Sequence, residues 1–231
     1  STYTGEAYTS LYDAARNSVR ETFQQELRLT SDLDGPFNFV VGAAYYTDDV
    51  DFNVFGRFGF LPLQVGAGIF DDILQIQATD QERESTAIYI DGTYELTSTT
   101  RLSMGYRHTR DEKDFHRLDI GGAGGNPLSN FLFDLTQITD PFTNPLPESA
   151  FALNARRNAT FSANTYRVVL DHDFRDDMMV YASFATGFVA GGFAETCGIY
   201  GGCQPFNSEE NDSFEIGFKA DLMDGKMRLN M

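Results

Sequence analysis

Val180-Tyr-Ala-Ser-Phe-Ala-Thr-Gly-Phe188 and, past a glycine-rich crest, Phe214-Glu-Ile-Gly-Phe-Lys-Ala-Asp221 keep one two-residue rhythm. Val180, Ala182, Phe184 and Phe188 fall on one side, against Tyr181, Ser183, Ala185 and Gly187. Phe214, Ile216, Phe218, Ala220 and Leu222 likewise oppose Ser213, Glu215, Gly217, Lys219 and Asp221. Successive side chains of a strand point to opposite faces, so each segment has one apolar face and one polar, partly charged face. A strand with lipid on one side and a water-filled lumen on the other has this composition.

Working outward, alternation and turn residues predict eight strands, at roughly 20–30, 37–48, 83–96, 101–113, 161–174, 178–188, 210–222 and from 226 on. The apolar sets are Phe23, Leu27 and Leu29; Phe37, Phe39, Val41 and Tyr45; Ile88, Ile90, Tyr94 and Leu96; Leu102, Met104 and Tyr106; and Tyr166, Val168, Leu170 and Phe174. Short connections at 31–36, 97–100, 175–177 and 223–225 alternate with long ones at 49–82, 114–160 and 189–209. A soluble β-sandwich produces the same alternation. The loop asymmetry and the aromatic residues near strand ends favour a membrane barrel, with tight turns on one side and long loops on the other. The last strand is short for a span and the barrel has no closing partner, so the reading is a central slice of a longer β-barrel over residues 1–231. Residues 1–19 are then a loop or the end of a preceding strand.

Composition narrows the function. A net charge of -17 and a pI near 4.4 argue against nucleic acid, which requires clustered Lys and Arg. No apolar run reaches the ~18 residues of a spanning helix. The start carries no basic, apolar leader, so a secretory signal is expected to be removed or to lie outside these residues. Cys197 and Cys203, the two cysteines, sit among glycines at a spacing that would close a small surface loop in an oxidising compartment.

Candidate chemistry is sparse. His108 and His172 belong to the apolar sets near strand ends, where an amphipathic ring suits an interface. His116 is placed in a loop beside Asp114 and Asp119, with no metal-ligand spacing. Gly121 to Gly125 lack the Lys and Ser or Thr of a phosphate loop. Asp48, Asp49, Asp51, Asp71 and Asp72 read as a solvated acidic rim, and residues 70–77 as a short helical turn. No nucleophile, base and orienting acid come together, so no enzyme, cofactor or metal is expected. The loop aromatics Phe52, Phe55, Phe58, Phe60, Phe70, Tyr200 and Phe206 either grip a ligand or pack the loops against one another, packing being the weightier reading.

The opening words, with Gln25-Glu-Leu-Arg-Leu-Thr-Ser31, Gly35-Pro-Phe-Asn-Phe-Val-Val-Gly-Ala-Ala-Tyr-Tyr46, Arg101-Leu-Ser-Met-Gly-Tyr-Arg-His-Thr-Arg-Asp-Glu-Lys113 and Asp224-Gly-Lys-Met-Arg-Leu-Asn230, resemble the barrel of TonB-dependent outer-membrane receptors. Their order and spacing carry the resemblance over most of residues 20–231. It implies a 22-stranded barrel with an N-terminal plug domain, in the outer membrane of a Gram-negative bacterium among lipid and lipopolysaccharide. It also implies TonB, ExbB and ExbD as energising partners, and import of a scarce ligand, commonly a ferric siderophore or another iron complex. Glu26, Arg28, Arg107, Arg167, Glu215 and Lys219 would then face the lumen, where they hold the plug or pair with one another across strands, pairing being the larger part. A passive porin-like channel and an adhesive surface barrel are the rival readings.

Overall fold

A computed structural model describes residues 2–3, 8–9, 12–58, 73–120, 153–194 and 203–231. Two short strands, β1 (Thr2–Tyr3) and β2 (Tyr8–Thr9), pair with each other. Eight more follow: β3 (Tyr12–Thr30), β4 (Phe37–Phe58), β5 (Ile73–Thr97), β6 (Thr100–Ile120), β7 (Leu153–Arg175), β8 (Met178–Val189), β9 (Glu209–Leu222) and β10 (Met227–Asn230). They form one sheet in strict chain order, antiparallel at every step, with β3 and β10 at its open edges. Among the described residues there is no helix.

The fold class and the number of strands in this sheet agree with the sequence reading, as do all four tight connections. The β9–β10 turn runs through left-handed φ at Met223, Asp224 and Gly225, and only the glycine adopts it without steric cost.

Register confirms the predicted phase. Ile216 aligns with Ala182, Ala182 with Leu170, Leu170 with Leu102, Leu102 with Tyr94 and Tyr94 with Phe37. Directly paired residues share a face, so this is one apolar row across six strands. Leu27, Ile88, Met104, Phe174, Phe214 and Ile216 are all exposed, Ile216 at 86%. A soluble protein rarely leaves so continuous an apolar face open, and among the described residues no second sheet covers it.

Strand length departs from expectation. β5 reaches 25 residues and β4, β6 and β7 more than twenty. Much of what alternation assigns to long loops is therefore sheet: Phe52, Phe55 and Phe58 lie in β4 and His116 in β6, and residues 73–77 are strand rather than helical turn. Residues 12–19 belong to β3. At about 3.4 Å per residue β5 is about 85 Å long, whereas the apolar positions from Leu96 to Ile88 cover about 27 Å of it, roughly 20 Å of depth at a 40° tilt. The remainder of β3–β7 stands clear of the apolar band as an extension that carries polar groups on both faces.

Candidate functional site

The polar face of the sheet carries the chemistry. Glu26, Arg28, Arg107, Arg167, Glu215 and Lys219 share this face, and the register places each beside neutral partners. Arg167 donates to Asp91 through two nitrogens, Nε at 3.1 Å and Nη2 at 2.9 Å. The two are separated by Gly105, which pairs with both. A Cβ on Gly105 would press into the Asp91 carboxylate, so the missing side chain leaves the space in which the pair closes.

The same device recurs with tyrosines. Tyr89 lies across Gly42, its directly paired neighbour, and donates its hydroxyl to Glu26 at 2.6 Å. Tyr181 lies across Gly217 and donates to Glu215, while Lys219 Nζ sits 5.0 Å from the Tyr181 ring centroid. A Cβ on Gly42 or Gly217 would overlap the tyrosine ring. An aromatic ring laid over a glycine on the next strand fills the gap the glycine leaves and pins the register. Arg107 stands 5.7 Å from the Tyr89 centroid, a cation over a ring face. Nearer the tight turns Arg101 bridges Asp171 and Asp173 and Arg228 binds Asp221 at 2.7 Å, so the polar face is laced by ion pairs from end to end.

Above the band, in the extension, Arg20 forms a fork on Asp48, Nε to Oδ1 at 2.6 Å and Nη2 to Oδ2 at 2.8 Å, and Arg83 donates to Asp111 at 2.7 Å. The hydrogen bonds from Arg20 hold the Asp48 carboxyl below the usual carboxylate range. Arg117 is fully buried beside Asp119, whose carboxyl burial pushes upward. Phe52, expected on a loop, is buried on this face with the Arg16 guanidinium 4.3 Å from its ring centroid. The opposite face of the extension is acidic: Glu21 aligns with Asp49, Asp49 with Glu82 and Glu82 with Asp114. Burial first, then Asp80, Asp49 and Asp114, push the Glu82 carboxyl up. No group of carboxylates or histidines among the described residues has metal-binding geometry.

Part of the β8–β9 connection folds back onto the polar face. Phe193 stacks on Phe115 with centroids 4.9 Å apart and planes at 17°, and Cys203 and Ala155 complete a buried cluster. Lys113 Nζ donates to the Gly191 carbonyl at 2.6 Å, and Gly192 and Phe206 exchange two backbone hydrogen bonds. Cys203 is disulfide-bonded; Cys197, Phe60, Phe70, Tyr200 and Gly121 to Gly125 lie outside the described residues. Phe206 is exposed on this fold-back. Phe52, Phe55 and Phe58 stand on β4, and Phe206 lies in the β8–β9 connection.

On the apolar face His108 and Tyr106 both bond Asn164 Oδ1 at 2.9 Å, a polar knot at the upper edge of the band, and His172 bonds Thr100 at 2.9 Å near the turns. Sequence reading missed Lys113, Phe115 and Phe193 as a unit. Lys113 and Phe115 stand at alternate positions among charged neighbours, and nothing local says that Phe193 returns to meet them.

No curated protein matches this chain. Among solved structures, the ferric yersiniabactin uptake receptor FyuA from Yersinia pestis superposes over 94% of the chain with a TM-score of 0.69 at 15% identity. The alcaligin outer-membrane receptor FauA from Bordetella pertussis matches over 93% of the chain, 36% of its own, at TM-score 0.41 and 15% identity. The RagAB peptide transporter matches over 92%, 20% of its own, at 0.48 and 12%. The chain spans 28% of the length of FyuA, and the likeness to it concerns the fold. The family model described as TonB dependent receptor-like, beta-barrel matches residues 1–231. With its continuous apolar face, charge-laced polar face and strictly sequential antiparallel strands, this chain belongs to the TonB-dependent receptor β-barrel family.

Proposed function

We propose that the chain is the wall of an outer-membrane receptor that imports a scarce ligand, a ferric siderophore or another iron complex, energised through TonB, ExbB and ExbD. The observation that carries this reading is the two-faced sheet: an exposed apolar band about 20 Å deep backed by a face of paired charges, which suits lipid outside and water inside. Membership of the family and the fold likeness to the FyuA uptake receptor support it. In this reading the barrel is 22-stranded and residues 1–231 are a central part of it, the acidic outer face of the extension stands at the level of lipopolysaccharide head groups, and the bacterium is Gram-negative.

Function is capture and passage without covalent chemistry. Glu26, Arg28, Arg107, Arg167, Glu215 and Lys219 line the passage and meet the plug where their cross-strand partners leave hydrogen-bonding capacity. Phe52, Phe55, Phe58, Phe60, Tyr200 and Phe206 are the aromatic candidates for ligand contact at the mouth. Cys203 pairs with Cys197 to close the small loop between them. The test is uptake of radioactive iron, presented as ferric siderophores, by cells under iron limitation. Deleting the gene or TonB is expected to abolish uptake of one such complex. Uptake that survives loss of TonB points to a passive channel, and normal uptake with lost surface adhesion points to an adhesive barrel.

A further inference from the structure

The extension above the band sorts its charges by face. Among the described residues of β3–β7, its inward face carries Arg16, Arg20, Arg83, Lys113, Arg117 and Arg157 against Asp48, Asp111 and Asp119. The outward face of the same strands carries the row Glu21, Asp49, Glu82 and Asp114, all exposed. A chain of net charge -17 thus gathers its cations on the side that faces the passage. Alternation along each strand keeps the two signs on opposite sides of one sheet.

The way the ion pairs sit makes the inward face more positive still. In the Arg20–Asp48 pair the arginine side chain is 61% exposed and the carboxylate 8%, and in Arg83–Asp111 the values are 32% and 3%. Both acids are tucked against the wall and both guanidiniums turn to the water. Arg117 and Asp119 are buried together and present no charge to the passage. Asp111 attracts Lys113 as well as Arg83, yet Lys113 and Arg83 are directly paired, and like charges so placed repel. Arg157 is exposed on the same register row as Arg20, four strand spacings away, about 19 Å at about 4.8 Å per step. Arg20, Arg83, Lys113 and Arg157 therefore form a basic arc across β3–β7.

We propose that this arc gathers small anions at the mouth of the passage, and that the ligand it serves is an anionic metal chelate rather than an uncharged one. A wall of one sign raises the local concentration of counter-ions and speeds their arrival, an effect that weakens as salt rises. The planar guanidiniums then offer paired donors to the oxygens of the anion. The inference rests on the proposed function, which makes this face the lumen and the ligand an iron complex, but its first test needs no TonB and no transport. Full-length receptor in detergent carries a single nitroxide at Gln81, in the middle of the arc, or at Thr160 on the outward face, where it is paired with Glu112. Collision with chromium oxalate, itself a small anionic chelate, is compared with collision with an uncharged nickel chelate.

The chromium-to-nickel collision ratio at Gln81 is expected to fall severalfold between about 10 mM and about 1 M salt, as the Debye length shrinks from about 30 Å to about 3 Å. At Thr160 it should rise. Lys113→Gln combined with Arg157→Gln, in barrels whose heat-modifiable migration shows them folded, should remove most of the fall at Gln81 and leave Thr160 unchanged. A ratio at Gln81 that salt leaves flat or raises overturns the arc, and this comparison needs no variant. So does a fall that the folded double variant keeps in full. Cells that take up an uncharged ferric trihydroxamate in preference to an anionic ferric tris-catecholate overturn the ligand class and leave the import reading in place. An arc that behaves as expected in a receptor that imports neither complex stands, and the import reading falls.

Discussion

Glycine at a directly paired position is where single residues decide most in this wall. Gly217 leaves room for the Tyr181 ring, and the ring in turn aims its hydroxyl at Glu215 and its face at Lys219. Gly217→Ala is expected to expel the ring and break that bond, lowering the denaturant midpoint of the folded barrel. Gly225→Ala acts only through its left-handed backbone, since nothing lies within 4 Å of the new Cβ, and should cost about 1 kcal/mol. Urea titration followed by heat-modifiable migration separates the two: Gly217→Ala combined with Tyr181→Ala should recover part of the loss, whereas Gly225→Ala is blind to Tyr181. The sequence pattern showed that Gly217 faces the polar side. It could not show the tyrosine laid over it, because that contact depends on register between strands rather than on position within one.

Within an element, alternation sets a facing that a single charge can test. Ile216 is central in the apolar band of β9, and its neighbour Glu215 faces the other way. Ile216→Lys is expected to cost about 2 to 4 kcal/mol of barrel stability, and Glu215→Lys far less; equal assembly of the two variants in outer-membrane fractions contradicts the facing. On β5 the two halves obey different rules. Ile88, Ile90, Tyr94 and Leu96 alternate with polar residues and were legible as strand from sequence. Residues 77–82 carry polar groups on both faces, so hydropathy has no contrast to report there and that part of the extension reads as loop.

That wet half also has its own pH dependence. The folded Glu82 carboxyl is raised, so it favours the fold fully below the ordinary glutamate pKa, and this contribution is lost as pH rises through the folded value. Glu82→Gln should slow amide exchange in the upper part of β5 at neutral pH and have no effect near pH 4, close to the unfolded glutamate value of about 4.3. Asp48 has the opposite sign. Its depressed carboxyl stabilises above the ordinary aspartate pKa and loses that contribution as pH falls through its folded value. Asp48→Asn should therefore accelerate exchange at neutral pH and become silent in strong acid.

Across the whole molecule the apolar band does not follow the register but climbs through it. On β3 it occupies Phe23 to Leu29 and on β9 Phe214 to Leu222, yet Leu29 traces through Val41, Ile90, Tyr106 and Tyr166 to the level of Asp212. The band shifts by about nine residues over the six steps from β3 to β9. With about 3.4 Å per residue and about 4.8 Å between strands, that slope is close to 45°, the tilt of strands in a membrane barrel wall. A sandwich has no reason to stagger its apolar face this way. The stagger was latent in the apolar sets read from sequence, and only the register between strands turned it into an angle. The mouth was less legible, since Phe193 and Cys203 reach β6 across a connection that no periodicity spans.

The central claim is that lipid lies against one face of this sheet and water against the other. Nitroxide spin labels placed singly at positions 213 to 218 of the full-length receptor in bilayers test it, through collision with oxygen, which partitions into lipid, and with a water-soluble nickel chelate. Labels at Phe214, Ile216 and Phe218 should collide preferentially with oxygen, and labels at Ser213, Glu215 and Gly217 preferentially with nickel. A flat profile, or one with the two sets exchanged, contradicts the claim.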